Sequence, residues 1–411
     1  MVARRSGPTA LAMAATLGLL AAILPITSRA GENDVITLGA AVSQTGNYAT
    51  SGKHTRDGYD FAAERVNAMG GVKIGDRAYK LQIKYYDDES VAARSAELTE
   101  RLVGQDGVKF ILGPYGSPTT AAMAPVVEKL KVPMIEANGA ARSLFTKGYS
   151  YTFAVLSTSD QYLSSAVDLL AEKAREQGKD PKSLRLALAM GDDNFSQDVR
   201  SGVLAAAKTY GMQIVIDDKL PDAFTDMSVT LTKVKALRPD ALLVSGHEKG
   251  ALTAVRQVAE RKVKVAMLAM THCDSADVIG QVGAAAEYTL CAAQWAPSLT
   301  YRDRWFGSAT DYAKAFEARF HHAPPYQAAE SSAAVLVYAD AFQRAGSLDP
   351  QKVRDAIAAT DMETFYGRIH FDGTGKNIGK PTVLLQVIQG QYKVVAPSRW
   401  ATDKAVYPRP S

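Results

Sequence analysis

Ser117 and the run Asn138-Gly139-Ala140 are the residues of this 411-residue chain best suited to hold a small anion. Ser117 follows the glycine-bounded turn Gly113–Gly116 and precedes Pro118, a residue favoured in the first turn of a helix. A hydroxyl and free backbone N–H groups at a helix start make an anion site without arginine. Asn138–Ala140 follows the next apolar β-rich run, so it is expected beside Ser117 on the same sheet edge. An ordinary N-cap would use the same serine, and the two roles are compatible.

Other reactive-looking residues fit their motifs poorly. Gly46–Gly52 followed by Lys53 superficially suggests a phosphate loop. Its glycines are one residue too far apart, and His54 stands where a metal-binding Ser/Thr is required. His247-Glu248 opens like a zinc-protease helix, but Ala251 occupies the place of the second histidine. No G-x-S-x-G elbow occurs. His54, His321, His322 and His370 show no ligand spacing, so no metal and no cofactor are expected. Asp87-Asp88 ends an apolar run, where it more often caps a following helix than does acid–base work. The chain therefore reads as a binder rather than an enzyme.

The elements that must position these residues alternate almost without exception. Apolar β-rich runs at 36–41, 80–86, 109–112, 133–136, 184–189, 213–217, 241–245, 264–269 and 289–293 are separated by amphipathic helical patterns. Buried strands alternating with helices indicate α/β architecture, with parallel sheets covered on both faces. The chain is long enough for two cores.

The first thirty residues read as a secretory signal. Arg4-Arg5 is followed by the apolar run Ala10–Ile23 and the small-residue site Ser28-Arg29-Ala30. Removing them takes away three arginines and no acid, so the formal charge falls from +4 to about +1. A nearly neutral domain gives no reason to expect nucleic acid or an anionic membrane as partner. The only cysteines, Cys273 and Cys291, form either a disulfide or two buried thiols in an exported chain.

The wording of the chain also resembles the solute-binding proteins of branched-chain amino-acid ABC importers. Ser43-Gln44-Thr45-Gly46, Val66-Asn67-Ala68-Met69-Gly70-Gly71-Val72 and Asp87-Asp88 occur in the family's order. Gly107–Pro114, Val132–Ile135, Ala140–Leu144, Phe145–Tyr149 and the segment Gly367–Gly375 extend the likeness over most of Val35–Pro397. The resemblance implies the type I periplasmic binding fold, two doubly wound parallel-sheet lobes joined by three hinge crossings. The matching crossings fall near Leu156–Ser159, Ala293–Pro297 and Ile378–Pro381. Lobe one is then 33–155 plus 295–379, lobe two 156–294 plus 380–397, and 398–411 a loose tail.

The same resemblance implies a ligand carboxylate held by Ser117, the Asn138 loop and the Ala140 N–H, since Ala140 replaces a usual threonine. In the second lobe, Phe195 and His247 match aromatic positions of the family, and His272 matches the glutamate that receives a ligand ammonium. Histidine cannot replace that negative charge. The expected ligand is thus a small carboxylate without an α-ammonium, an aromatic acid being one candidate. Tyr48, Tyr115, Phe195 and Trp295 are expected either as aromatic walls or as core residues, Trp295 being the best placed for a wall because it lies at a crossing. The expected setting is a monomer in the periplasm of a two-membrane bacterium, serving a permease and ATPase complex. An amino-acid, amide or urea receptor and a ligand-sensing module for a signalling partner are the alternatives.

Overall fold

A computed structural model describes residues 1–2, 7 and 34–410 of the chain. The signal segment lies almost wholly outside the described residues. Among those described, no helix is long and apolar enough to cross a membrane.

The strands gather into two main sheets. The first contains β1 (Val35–Val42), β2 (Val72–Ile74), β3 (Arg77–Asp87), β4 (Ile111–Leu112), β5 (Met134–Glu136) and β6 (Thr152–Ala154), ordered β2-β3-β1-β4-β5-β6. The second takes β7 (Arg185–Gly191), β8 (Gln213–Leu220), β9 (Ala241–Ser245), β10 (Met267–Thr271) and β11 (Leu290–Ala293). Two small hairpins follow, β12 (Arg302–Asp303) with β13 (Gly307–Ser308) and β14 (Asp361–Thr364) with β15 (Gly367–His370). The chain then returns to the second sheet with β16 (Val383–Ile388) and β17 (Gln391–Ala396), giving the order β17-β16-β11-β10-β9-β7-β8.

The fold is the expected α/β arrangement of two doubly wound sheets. The chain passes between them three times: after β6, after β11 and before β16. The sheets are mostly parallel, but β2 and the β16–β17 pair are antiparallel edges. Those edges escape periodicity because a tight hairpin needs no crossover helix.

Helix Ala49–Ala68 runs straight through Gly52 and Gly58. Gly52 is there for contact rather than for a loop. A Cβ on it would lie 1.6 Å from the Ser43 carbonyl at the end of β1. Gly58 on the same helix lets the backbone of helix Tyr326–Ala345 approach, since a Cβ would lie 2.2 Å from the Ala328 carbonyl. The acidic pair ends β3 and pins the loop after β1. Asp87 Oδ1 accepts from Gln44 N at 2.9 Å, and Asp88 Oδ1 accepts from the Ser43 hydroxyl at 2.6 Å. Asp88 Oδ2 also accepts from the Ser95 hydroxyl in the following helix.

The carboxyl-terminal segment corrects the expectation of a loose tail. Thr402 N donates to Val394 O, Val406 N to Gln386 Oε1 and Arg409 N to Ala266 O, each at 2.8 Å. Residues 398–410 thus lie along the second sheet. The proline and charge content of the segment reads as loose, and backbone bonds to the sheet oppose that.

Candidate ligand-binding cleft

The carboxyl ends of the two sheets face each other across a cleft. One wall is built by the turns after β4 and β5 and by helix Tyr326–Ala345. Ser117 opens helix Ser117–Leu130, behind Gly116 at φ 91°, a left-handed conformation that glycine takes at little cost. Ser117 is therefore the first helical residue and not its cap. Its oxygen accepts from Ala141 N at 3.0 Å, leaving the hydroxyl hydrogen free to point elsewhere. The parallel bridge between Tyr115 and Asn138 joins the two turns, as expected for neighbouring strand ends. Glu136 Oε2 steadies the second turn by accepting from Asn138 N at 3.0 Å and Gly139 N at 2.5 Å. Burial pushes that carboxyl up to about 8.

The other wall comes from Phe195, His247 and His272, which follow β7, β9 and β10. Both histidines hold left-handed backbone, φ 52° at His247 and φ 63° at His272. For a residue with a Cβ this costs about 1–2 kcal/mol. Tyr115 crosses between the walls. Its hydroxyl lies 3.1 Å from His247 Nδ1 and 3.1 Å from His272 Nε2. Phe195 packs its ring 5.6 Å from His247 and 5.2 Å from His272.

The two histidines are electrostatically different. Burial pulls His247 down, but Asp193, whose Oδ1 is 3.4 Å from Nε2, outweighs it and lifts the imidazole to about 9. Burial raises Asp193, yet His247 and the Ser196 N–H bring it down to about 2. The pair is thus an ion pair. Burial and the neighbouring His247 charge hold His272 well below the ordinary imidazole value. His272 is neutral, and its Nδ1 lies 2.9 Å from the Thr271 hydroxyl.

Seven of the nine expected ligand residues line one cavity: Tyr115, Ser117, Asn138, Ala140, Phe195, His247 and His272. Tyr48 lies at its rim, with its ring 5.1 Å from His247 and its hydroxyl donating to Asp222 Oδ2 at 2.7 Å. Trp295 is a correction. Its indole N–H donates to Phe365 O at 3.1 Å, and its ring packs on Tyr312 and Phe365. It anchors the second crossing in the core, where a large ring buries most area. Cys273 and Cys291 are joined by a disulfide, with Cα atoms 5.7 Å apart.

Four polar lining residues were not foreseen: Tyr162, Tyr326, Gln327 and Glu330. Three lie on the first turn of helix Tyr326–Ala345, a segment rich in alanine. A Gln and a Glu among its apolar positions were the available signal. Gln327 is 1% exposed, and neither its side-chain oxygen nor its nitrogen has a hydrogen-bond partner. Asn138 Oδ1 is likewise buried and unpartnered. Burial pushes Glu330 well above the ordinary carboxyl value, and the Tyr366 hydroxyl donates to it at 3.2 Å. The cavity is about 10 Å³, roughly the room of one water molecule. Any organic acid needs the walls to part or their side chains to turn.

The sequence matches the family described as periplasmic binding protein over residues 35–391. It is 24% identical over 255 residues to a Leu/Ile/Val-binding protein homolog 8 of Brucella suis biovar 1. That match covers 62% of this chain and 61% of the relative, so the chain spans less than two thirds of that protein. The leucine-binding protein LivK of Thermotoga maritima superposes with a TM-score of 0.76 at 20% identity, covering 88% of this chain and 98% of that one. A solute-binding protein of R. palustris in complex with benzoate gives 0.76 at 17% identity, covering 90% and 99%. These structures share the two-sheet fold, and the family is one of substrate-binding proteins. With a family match across most of its length, the chain belongs to the periplasmic binding proteins.

Proposed function

We propose that this protein is the solute-binding component of an ABC importer and takes a small carboxylate, best an aromatic acid, between its two sheets. The carrying observation is the composition of the cleft. Tyr115, Tyr162, Phe195 and Tyr326 supply flat apolar surface, while Ser117, Asn138 and Gln327 offer polar groups, several of them unpaired. A buried unpaired polar atom costs about 1–3 kcal/mol, which a ligand would recover. His272 stands where the family resemblance implies an ammonium-binding glutamate, and it is neutral. The neighbour in complex with benzoate shares the fold and supports this ligand class by analogy.

The lobes would be 33–155 plus 295–379 and 156–294 plus 380–397, closing by rotation at the crossings. Moving such a balance from 1:99 to 99:1 takes about 5.5 kcal/mol of preferential binding. The protein would act as a periplasmic monomer after cleavage near Ala30 and deliver its ligand to a permease and ATPase complex.

A second reading, an amino acid whose ammonium is received by Glu330, rests on that residue alone. Calorimetric titration separates the two. Aromatic or branched acids should bind tightly, and leucine, isoleucine and valine at least a hundredfold more weakly, about 3 kcal/mol. Micromolar leucine binding that is lost in Glu330→Gln would establish the second reading and overturn the first.

A further inference from the structure

We propose that His54, Asp57 and His322 form a site for a zinc-like divalent cation, separate from the ligand cleft. One donor atom from each of the three lies within 4.8 Å of the others. His322 Nε2 is 3.7 Å from Asp57 Oδ2, and the two imidazole rings are 5.6 Å apart. Zinc bonds of about 2.0–2.1 Å in tetrahedral geometry place neighbouring donors about 3.4 Å apart, so small side-chain rotations close the set. Sequence distance hid the cluster. His54 and Asp57 share one face of helix Ala49–Ala68, and His322 arrives from the turn after helix Ala309–Phe320.

The hydrogen bonding of the two rings argues for metal rather than packing. His54 Nδ1 and His322 Nε2 are buried and have no partner. On His322 the opposite nitrogen, Nδ1, lies 3.0 Å from the Ala323 carbonyl. A proton held there leaves the Nε2 lone pair free. A second nitrogen fixed by a carbonyl is how metal-binding histidines are usually oriented. Two imidazoles and a carboxylate suit zinc, copper or nickel better than calcium or magnesium. Both histidines border an open cavity of about 720 Å³, so water can complete the coordination. Lys53 Nζ is the competitor, 2.5 Å from Asp57 Oδ2. Its side chain is 63% exposed and can swing into solvent.

The test is equilibrium dialysis of Zn²⁺ against the untagged, chelator-stripped mature chain. One zinc per chain is expected. His322→Ala should weaken binding at least tenfold, and Lys53→Met should tighten it severalfold. His247→Gln should retain the zinc, because it disrupts only the Asp193–Asp222–His247 group of the cleft. Imidazole NMR of the wild-type protein reads the site without any substitution: the His54 and His322 signals should shift on adding zinc. No zinc bound by the wild type, zinc undiminished in His322→Ala, or shifts confined to other histidines would each overturn the proposal.

Discussion

Ser117 shows how a single hydroxyl can be committed and still available. Its oxygen is occupied by the Ala141 N–H, which fixes the side chain and leaves the hydroxyl hydrogen as a donor. Ser117→Ala should weaken acid binding by about 1.5–3 kcal/mol, the range for a hydrogen bond to a charged group. Calorimetry of the variant checks this, and unchanged affinity would place the carboxylate elsewhere. His247 makes a second residue-scale prediction. Its folded value of about 9 lies above the ordinary imidazole value of about 6.5, so the charged form is stabilised by folding. That contribution is complete below pH 6.5 and is lost as pH rises through about 9. Asp193, at about 2, contributes above its ordinary carboxyl range and loses its share only in strong acid. His272 and Glu248 also face this group, and His272 acts oppositely, since its depressed value makes acid destabilising. The difference in melting temperature between wild type and His247→Gln should therefore shrink from pH 6.5 to 9. A constant difference would mean that His247 is not charged in the folded protein.

At the scale of elements, the two histidines depend on how β9 and β10 end. A left-handed residue follows each strand, His247 after Gly246 and His272 directly after Thr271, and both imidazoles meet the Tyr115 hydroxyl. The disulfide between Cys273 and Cys291 ties the turn after β10 to β11 directly beside His272. Closing a loop of this length stabilises a fold by about 3 kcal/mol in the chain-entropy account. The Cys273→Ala/Cys291→Ala double variant should unfold at a lower temperature and bind acids more weakly, because the turn carrying His272 loosens. Non-reducing digestion of the protein should yield the linked peptide pair. Two separately alkylated cysteines would remove the basis of this prediction.

At the scale of the whole molecule, a few bonds join the two sheet systems across the cleft. Tyr48 donates to Asp222, Ser51 to Glu248, and Lys249 to Asn47. The first two acceptors are carboxylates, and Glu248 is buried. Tyr48→Phe combined with Ser51→Ala removes two such bonds without removing bulk. The open form should then gain population, since each bond to a charged group is worth about 1.5–3 kcal/mol. Small-angle scattering should show a larger radius of gyration in the variant than in wild type, and acid should reverse it. Identical curves would mean that these contacts do not set the balance.

Periodicity and turn chemistry settled the alternation of strands and helices and so an α/β chain, while chain length and the family resemblance supplied its division into two sheets. The β4 and β5 turns were legible as a paired site because strand ends in parallel sheets lie side by side by construction. Tertiary structure decided the rest. Trp295 reads as a wall residue by position, but only packing shows its ring turned into the core against Tyr312 and Phe365. Gln327 and Glu330 sit on a helix whose pattern reads as interior, and burial alone does not tell a core position from a cleft position. The edges β16 and β17 pair antiparallel with a sheet built much earlier in the chain. The His54–His322 contact joins residues that no local spacing relates. Local sequence determines the conformation of neighbours along the chain, while a cleft is made by residues that become neighbours only after the sheets have formed and faced each other.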